Sequence, residues 1–117
     1  MTITLYGISN CDTVKKARAW LDQHGVAYQF HDFKKQGLPL DHVDRWIAAV
    51  GWETLVNRKG TTWRKLDEGA RNAVADAASA RALMQQQPSV VKRPVVEWGG
   101  ATTVGFDPIA WEQNARG

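Results

Sequence analysis

The first 33 residues constrain the fold most. Ile3-Thr4-Leu5-Tyr6-Gly7-Ile8 is a β-branched and aromatic run bounded by Ser9-Asn10, and it predicts a buried strand. From Asp12 to His24, the apolar residues Val14, Ala17 and Leu21 fall at helical spacing, and Gly25 follows as a C-terminal stop. Val26 to Phe33 is strand-like again, with Val26, Tyr28 and Phe30 alternating against more polar neighbours. Strand, helix and strand with short connections predict a right-handed βαβ unit, hence two parallel strands. Cys11 stands at the first strand–helix junction, and it is the chain's one cysteine.

The middle of the chain reads as helical. Leu40, Val43, Ile47 and Val50 form one apolar stripe, preceded by Pro39 and ended by Gly51, and Trp52 to Val56 predicts a further turn. Asn57-Arg58-Lys59-Gly60-Thr61-Thr62 breaks the pattern and predicts a loop. From Leu66 onward, Ala70, Val74, Ala77, Arg81 and Met84 fall at three- to four-residue steps. That spacing predicts one long helix, or two short ones broken near Ser79, stopping before Pro88. The last third returns to sheet: Pro94 to Trp98 as a strand, Gly99-Gly100 as a turn and Thr102 to Phe106 as the hairpin partner. A short helix from Pro108 to Ala115 closes the chain. The order βαβ, helices, ββα predicts one compact α/β domain over residues 1–117, with no repeat or low-complexity segment.

At 117 residues the chain can build one core but not two independent ones. No apolar run approaches the roughly 18–20 residues of a membrane span. The N-terminus lacks a charged region, a long apolar core and a small-residue cleavage site, so a cytoplasmic location is expected. The net charge is +3, yet the basic residues are interleaved with acidic ones, as a mixed surface rather than a phosphate-tracking stripe. Nucleic-acid and membrane partners are therefore not expected. Six tryptophans, at 20, 46, 52, 63, 98 and 111, are dispersed over helices, loop and strand, as packing residues rather than a base-stacking platform.

With one cysteine no internal disulfide can form, and any redox chemistry must take its second thiol from another molecule. His24, His31 and His42 have no cysteine partners at ligand spacing, so no metal site is expected. Cys11 precedes a helix whose unpaired backbone N–H groups and positive dipole end favour a thiolate. Thr13 adds a hydroxyl donor, and Lys15 with Lys16 adds positive charge. The competing reading is a small buried hydrophobe. Arg58, in the polar loop, suits an oxyanion or a carboxylate through its planar fork, but taken by itself it reads as a solvated loop charge before a site residue. Arg93 and Pro94 open the third strand as a surface cation and a strand-starting proline. The run Gly60 to Leu66 lacks a complete phosphate-binding loop pattern.

Three segments resemble the ArsC/Spx/YffB family, in the family's order: Tyr6-Gly7-Ile8-Ser9-Asn10-Cys11-Asp12-Thr13-Val14-Lys15-Lys16-Ala17, Asn57 to Leu66, and Val90-Val91-Lys92-Arg93-Pro94-Val95-Val96. The likeness is greatest to the YffB-like branch. It implies a thioredoxin-like fold with a mixed four-stranded sheet and a helical insertion over residues 39–90. It also implies Cys11 as the reactive cysteine, Arg93 and Arg58 as anion- or thiolate-stabilising arginines, and Pro94 as a cis-proline. Lys59 is an alternative to Arg58. Arsenate reductases of the family look to carry a third arginine in the last hairpin, whereas no arginine occurs here between Arg93 and Arg116. The Spx branch often has Cys-x-x-Cys, and here the second position is Val14. The leading expectation is a glutathione-dependent thiol–disulfide reductase with no bound cofactor, taking glutathione or an oxidised thiol substrate. The alternatives are arsenate reduction through a Cys11–arsenic adduct, or an Spx-like regulator whose protein partner is RNA polymerase.

Overall fold

β1 (Thr4–Gly7), α1 (Asp12–Gln23) and β2 (Gln29–Asp32) form the opening βαβ unit, with β1 and β2 parallel. The computed structural model describes residues 2–116. The short helix α2 (Phe33–Gln36) follows β2 directly, then α3 (Leu40–Val50), α4 (Trp52–Leu55), α5 (Thr61–Lys65), α6 (Glu68–Asn72) and α7 (Ala77–Gln86). A 3₁₀ turn at Pro88–Val90 leads to β3 (Val95–Glu97), β4 (Thr102–Val104) and α8 (Pro108–Arg116). The four strands make one mixed sheet in the order β2-β1-β3-β4, with β3 antiparallel to both of its neighbours. That topology, with the helical segment between β2 and β3, is the thioredoxin-like α/β fold.

The chain divides into two compact units. One comprises the residues up to Gly37 together with those from Arg93 onward; the other is Leu38–Lys92. In the first, Leu5 points from β1 into a cluster with Val14, Ala17 and Leu21 of α1, Val96 of β3, Trp98 and Trp111. Leu5, Val14, Ala17, Leu21, Val96 and Trp111 are fully buried, which is the expected consequence of helical spacing on α1 and alternation on β1. Trp111 is met edge-on by Trp20, Trp98 and Phe106 at centroid separations of 5.7, 5.2 and 4.8 Å. Beneath α1, a Cβ added at Gly7 would lie 2.7 Å from Val14 Cγ2, so glycine permits the close approach of β1 and helix.

In the second unit, α3 buries Val43 and Trp46, while Leu40, Ile47 and Val50 are only half-buried. The predicted stripe therefore lies one position off: the bulk of Trp46 takes the place next to Val43 that spacing alone assigned to Ile47. α7 buries Ala80, Leu83 and Met84. Backbone bonds from Asn57 N–H to Val90 O (2.8 Å) and from Lys92 N–H to Leu55 O (2.7 Å) hold the segments on either side of α5–α7 together.

Three sequence expectations are corrected. The strand predicted from Val26 to Phe33 spans only Gln29–Asp32, and its C-terminal end is set where the Asp32 side chain caps α2 by accepting from Lys34 N–H. The predicted loop 57–62 is a turn that ends in α5 at Thr61. The helical stretch after Leu66 is two short helices, and the break falls over residues 73–76, a few residues ahead of Ser79. Ser79 lies in the first turn of α7, in a reciprocal capping box with the N-cap Asp76.

Candidate active site

β1 reaches Cys11 through a tight turn in which Cys11 N–H donates to Ile8 O at 3.2 Å. Cys11 is the N-cap of α1, with extended backbone (φ −89°, ψ 126°), and its carbonyl accepts from Lys15 N–H at 2.9 Å. The N–H groups of Asp12, Thr13 and Val14 therefore have no intrahelical acceptor. The Cys11 side chain makes no capping hydrogen bond and is half-buried against the Leu5–Trp111 cluster. It is a free thiol held at the positive end of a 12-residue helix with part of its surface open. Thr13 and Lys15 lie exposed on the first turn of the same helix.

The sheet register brings Arg93 and Pro94 to the same end of the fold. Tyr6 pairs with Val95 in the antiparallel β1–β3 ladder, so the residues that precede β3 lie alongside those that leave β1 for Cys11. The Arg93–Pro94 peptide is cis. Pro94 is buried and its carbonyl accepts from Gly105 N–H at 2.9 Å, while Arg93 is half-buried.

Arg58 belongs to the second unit. Its guanidinium carbon lies 5.3 Å from the ring centroid of Trp52 and 6.0 Å from that of Trp63, which orients an otherwise exposed loop cation. Arg58, Lys59 and Lys92 line a cleft of about 360 Å³ together with Glu53, Thr54 and Asn57. Two of the six tryptophans thus support a candidate site residue as well as pack, a relation that sequence spacing does not reveal.

Asp32 escaped the sequence reading. It is the C-terminal residue of β2, paired in register with Gly7, and at 5% exposure it is buried. Burial pushes its carboxyl up. The Lys34 N–H, the Ser9 hydroxyl, the Lys35 N–H and the Lys35 charge outweigh that and hold it below the ordinary aspartate value. The available signal was local: Asp32 followed by Phe33-Lys34-Lys35-Gln36-Gly37 has the form of a cap, one helical turn and a glycine stop. Among the histidines, His24 Nδ1 and His31 Nε2 each lie 2.8 Å from a backbone oxygen, of Trp20 and Gly37 respectively. Among the described residues, no group of three or more His, Cys, Asp or Glu side chains could hold a metal ion, and no helix is long and apolar enough to cross a membrane.

The chain is similar to an uncharacterized protein of Haemophilus influenzae, at 41% identity over 90% of this chain and 91% of that one. It resembles the global transcriptional regulator Spx of Streptococcus mutans at 26% identity, over 90% of this chain and 77% of the regulator. Among solved structures, the YffB (PA3664) protein superposes with a TM-score of 0.92 at 55% identity, covering 97% of this chain and 99% of that one. An arsenate reductase (ArsC) related protein of Brucella melitensis does so with a TM-score of 0.76 at 57% identity, covering 97% and 93%. The family model described as ArsC family matches residues 6–114, from the middle of β1 into α8, and the chain belongs to the ArsC family.

Proposed function

We propose that the protein is a thiol–disulfide reductase that uses Cys11 as its nucleophile and glutathione as its reductant. The observation that carries this reading is the state of Cys11: an N-cap thiol whose sulfur is engaged in no capping bond, half-exposed, ahead of three unpaired backbone N–H groups. A helix N-terminus favours an anion by about 0.3–1 kcal/mol at an exposed position and up to about 2 kcal/mol when partly buried. Arg93, brought by the sheet register to the end at which β1 turns into Cys11, would add a guanidinium cation.

The Cys11 thiolate attacks the glutathione sulfur of a mixed disulfide and expels the substrate thiolate, leaving a Cys11–glutathione disulfide. A second glutathione thiolate attacks the glutathione sulfur of that disulfide, releases oxidised glutathione and restores the Cys11 thiolate. The substrate thiolate takes up the proton that the second glutathione loses. One protein thiol suffices because the second glutathione resolves the adduct. Thr13 and Lys15, on the first turn of α1, are proposed to stabilise the thiolate, and Arg58 to bind an anionic group of a ligand.

The test is turnover of a glutathione mixed disulfide with glutathione, followed by formation of oxidised glutathione. Turnover above the uncatalysed rate that disappears in Cys11→Ser is expected; turnover that survives Cys11→Ser refutes the assignment. Arsenate in place of the disulfide is the parallel arm, and more efficient turnover there would make arsenate the substrate. A second reading follows from the similarity to regulators named Spx. It makes the fold a docking module for RNA polymerase, and a polymerase complex that persists in Cys11→Ser would favour it.

A further inference from the structure

The cleft that Arg58 lines lies wholly within the second unit, and its charges do not cancel. Arg58, Lys59 and Lys92 line it with a single carboxylate, Glu53, and among the described residues none of the four forms an ion pair. All four residues are exposed. Like charges gathered without partners repel, so packing gives no reason for the arrangement.

Backbone geometry brings the cations together from two distant segments. Val56 and Val91 form an antiparallel bridge, flanked by the bonds from Lys92 N–H to Leu55 O at 2.7 Å and from Asn57 N–H to Val90 O at 2.8 Å. Those bonds seat Lys92 beside the segment that leads into Arg58. Asn57 then turns the chain: its Oδ1 accepts from Lys59 N–H at 3.2 Å and its carbonyl from Gly60 N–H at 3.3 Å. A Cβ added at Gly60 would lie 2.8 Å from Asn57 Nδ2, so glycine lets this turn close. The rings of Trp52 and Trp63 order Arg58 from its own side. Solvated surface cations need none of this support.

We infer that the cleft is a binding site for glutathione, recognised as a zwitterion: Arg58, Lys59 and Lys92 take its two carboxylates, and Glu53 takes its ammonium group. Three cations and one carboxylate complement two carboxylates and one ammonium, with one positive charge in excess. The planar guanidinium meets a carboxylate through two parallel hydrogen bonds, while the lysines act as point charges that suit the other end. At about 360 Å³ the cleft falls within the range of small-molecule sites, and a single oxyanion would leave much of it to water. The choice of glutathione among zwitterionic dicarboxylates rests on the reductase reading above; the charge complement does not.

The test is calorimetric titration of the full chain with S-methylglutathione, whose blocked thiol cannot react, alongside the indole N–H resonances of Trp52 and Trp63 in NMR spectra. Saturable binding that shifts both resonances is expected. Lys59→Gln and Lys92→Gln should each weaken binding about fivefold, the worth of one ion pair near 4 Å in water, with urea midpoints little changed. Lys92→Arg, which keeps the charge, should recover most of the loss. Glu53→Gln should weaken binding of S-methylglutathione but tighten that of glutarate, which has two carboxylates and no ammonium. Absence of saturable binding, binding that ignores both lysine changes, or a Glu53→Gln effect of the same sign on both ligands overturns the inference. Turnover of a glutathione mixed disulfide by a protein whose cleft fails this test leaves the reductase reading intact. Binding through the cleft in a protein that turns over no mixed disulfide overturns that reading alone.

Discussion

Substituting Gly7 by alanine forces a conflict between the strand and the helix that carry Cys11. The new Cβ would lie 2.7 Å from Val14 Cγ2, and 3.5 Å from Cγ1, with Val14 fully buried. Non-bonded carbons settle at about 3.5–4.0 Å, so the closer methyl must move by roughly 0.8 Å or more. Val14 cannot turn away cheaply, since a β-branched residue in a helix has one strongly preferred rotamer. α1 must instead lift from β1. Overpacking of this kind costs about 1–3 kcal/mol. The smaller conformational entropy of an unfolded chain with alanine offsets about 0.4–1 kcal/mol of that. A net loss of about 1–2 kcal/mol is expected from urea unfolding followed by circular dichroism and tryptophan fluorescence, with an unchanged m-value. The decisive measurement is the cycle with Val14→Ala. That change alone removes two buried methyls, at about 0.8 kcal/mol each before any cavity cost. In the double variant the methyl introduced by Gly7→Ala occupies part of the space vacated by Val14. The combined loss should therefore be smaller than the sum by about 1 kcal/mol or more. Additive losses would show that Gly7 and Val14 do not compete for the same space, and the packing argument would fail. Gly7→Ala should also slow Cys11 alkylation, because the lifted segment is the first turn of the helix that Cys11 caps.

Asp32 predicts a pH dependence of stability. Its folded value is depressed, so its contribution is present above the unfolded aspartate value of about 3.9 and is lost as pH falls through the lower folded value. The stability of Asp32→Asn should fall less steeply than wild type below about pH 4; parallel curves would refute the coupling. Trp111 is fully buried with its indole nitrogen unbonded among the described residues. Trp111→Phe, which deletes that N–H, should destabilise by less than half as much as Trp111→Ala, for which about 3–5 kcal/mol is expected; equal losses in urea unfolding would contradict it. The stacking of Arg58 on Trp52 and Trp63 contributes about 0.5–1 kcal/mol for an exposed cation. Trp63→Leu should therefore broaden the Arg58 side-chain Nε resonance in NMR spectra, and an unchanged Arg58 signal would show that the ring does not order it.

The position of Cys11 was legible because it is a local matter. The β-branched run before it, the Val14–Ala17–Leu21 spacing after it and the Gly25 stop are short-range patterns, and they place a strand–helix junction at residue 11 whatever lies elsewhere. The hairpin around Gly99-Gly100 and the closing helix from Pro108 are of the same kind. The resemblance of three segments to the ArsC family then supplied expected roles for Arg58 and Arg93, and the cis peptide at Pro94, that no spacing contains. What only the tertiary structure decided depends on contacts between distant parts of the chain. The Tyr6↔Val95 register brings Arg93-Pro94 to the end of β1, across a separation of almost 90 residues. The choice of Trp46 over Ile47 for burial depends on what packs against α3. The break at 73–76 follows from the Asp76–Ser79 box, whose strength against a continuous helix the apolar spacing could not weigh. The burial of Asp32 is the clearest case. Sequence places a carboxylate at the end of a strand, where it could as well be solvated. Its place opposite Gly7 exists only once β1 and β2 lie side by side in register, and so the burial of this carboxylate is a property of the fold rather than of any segment.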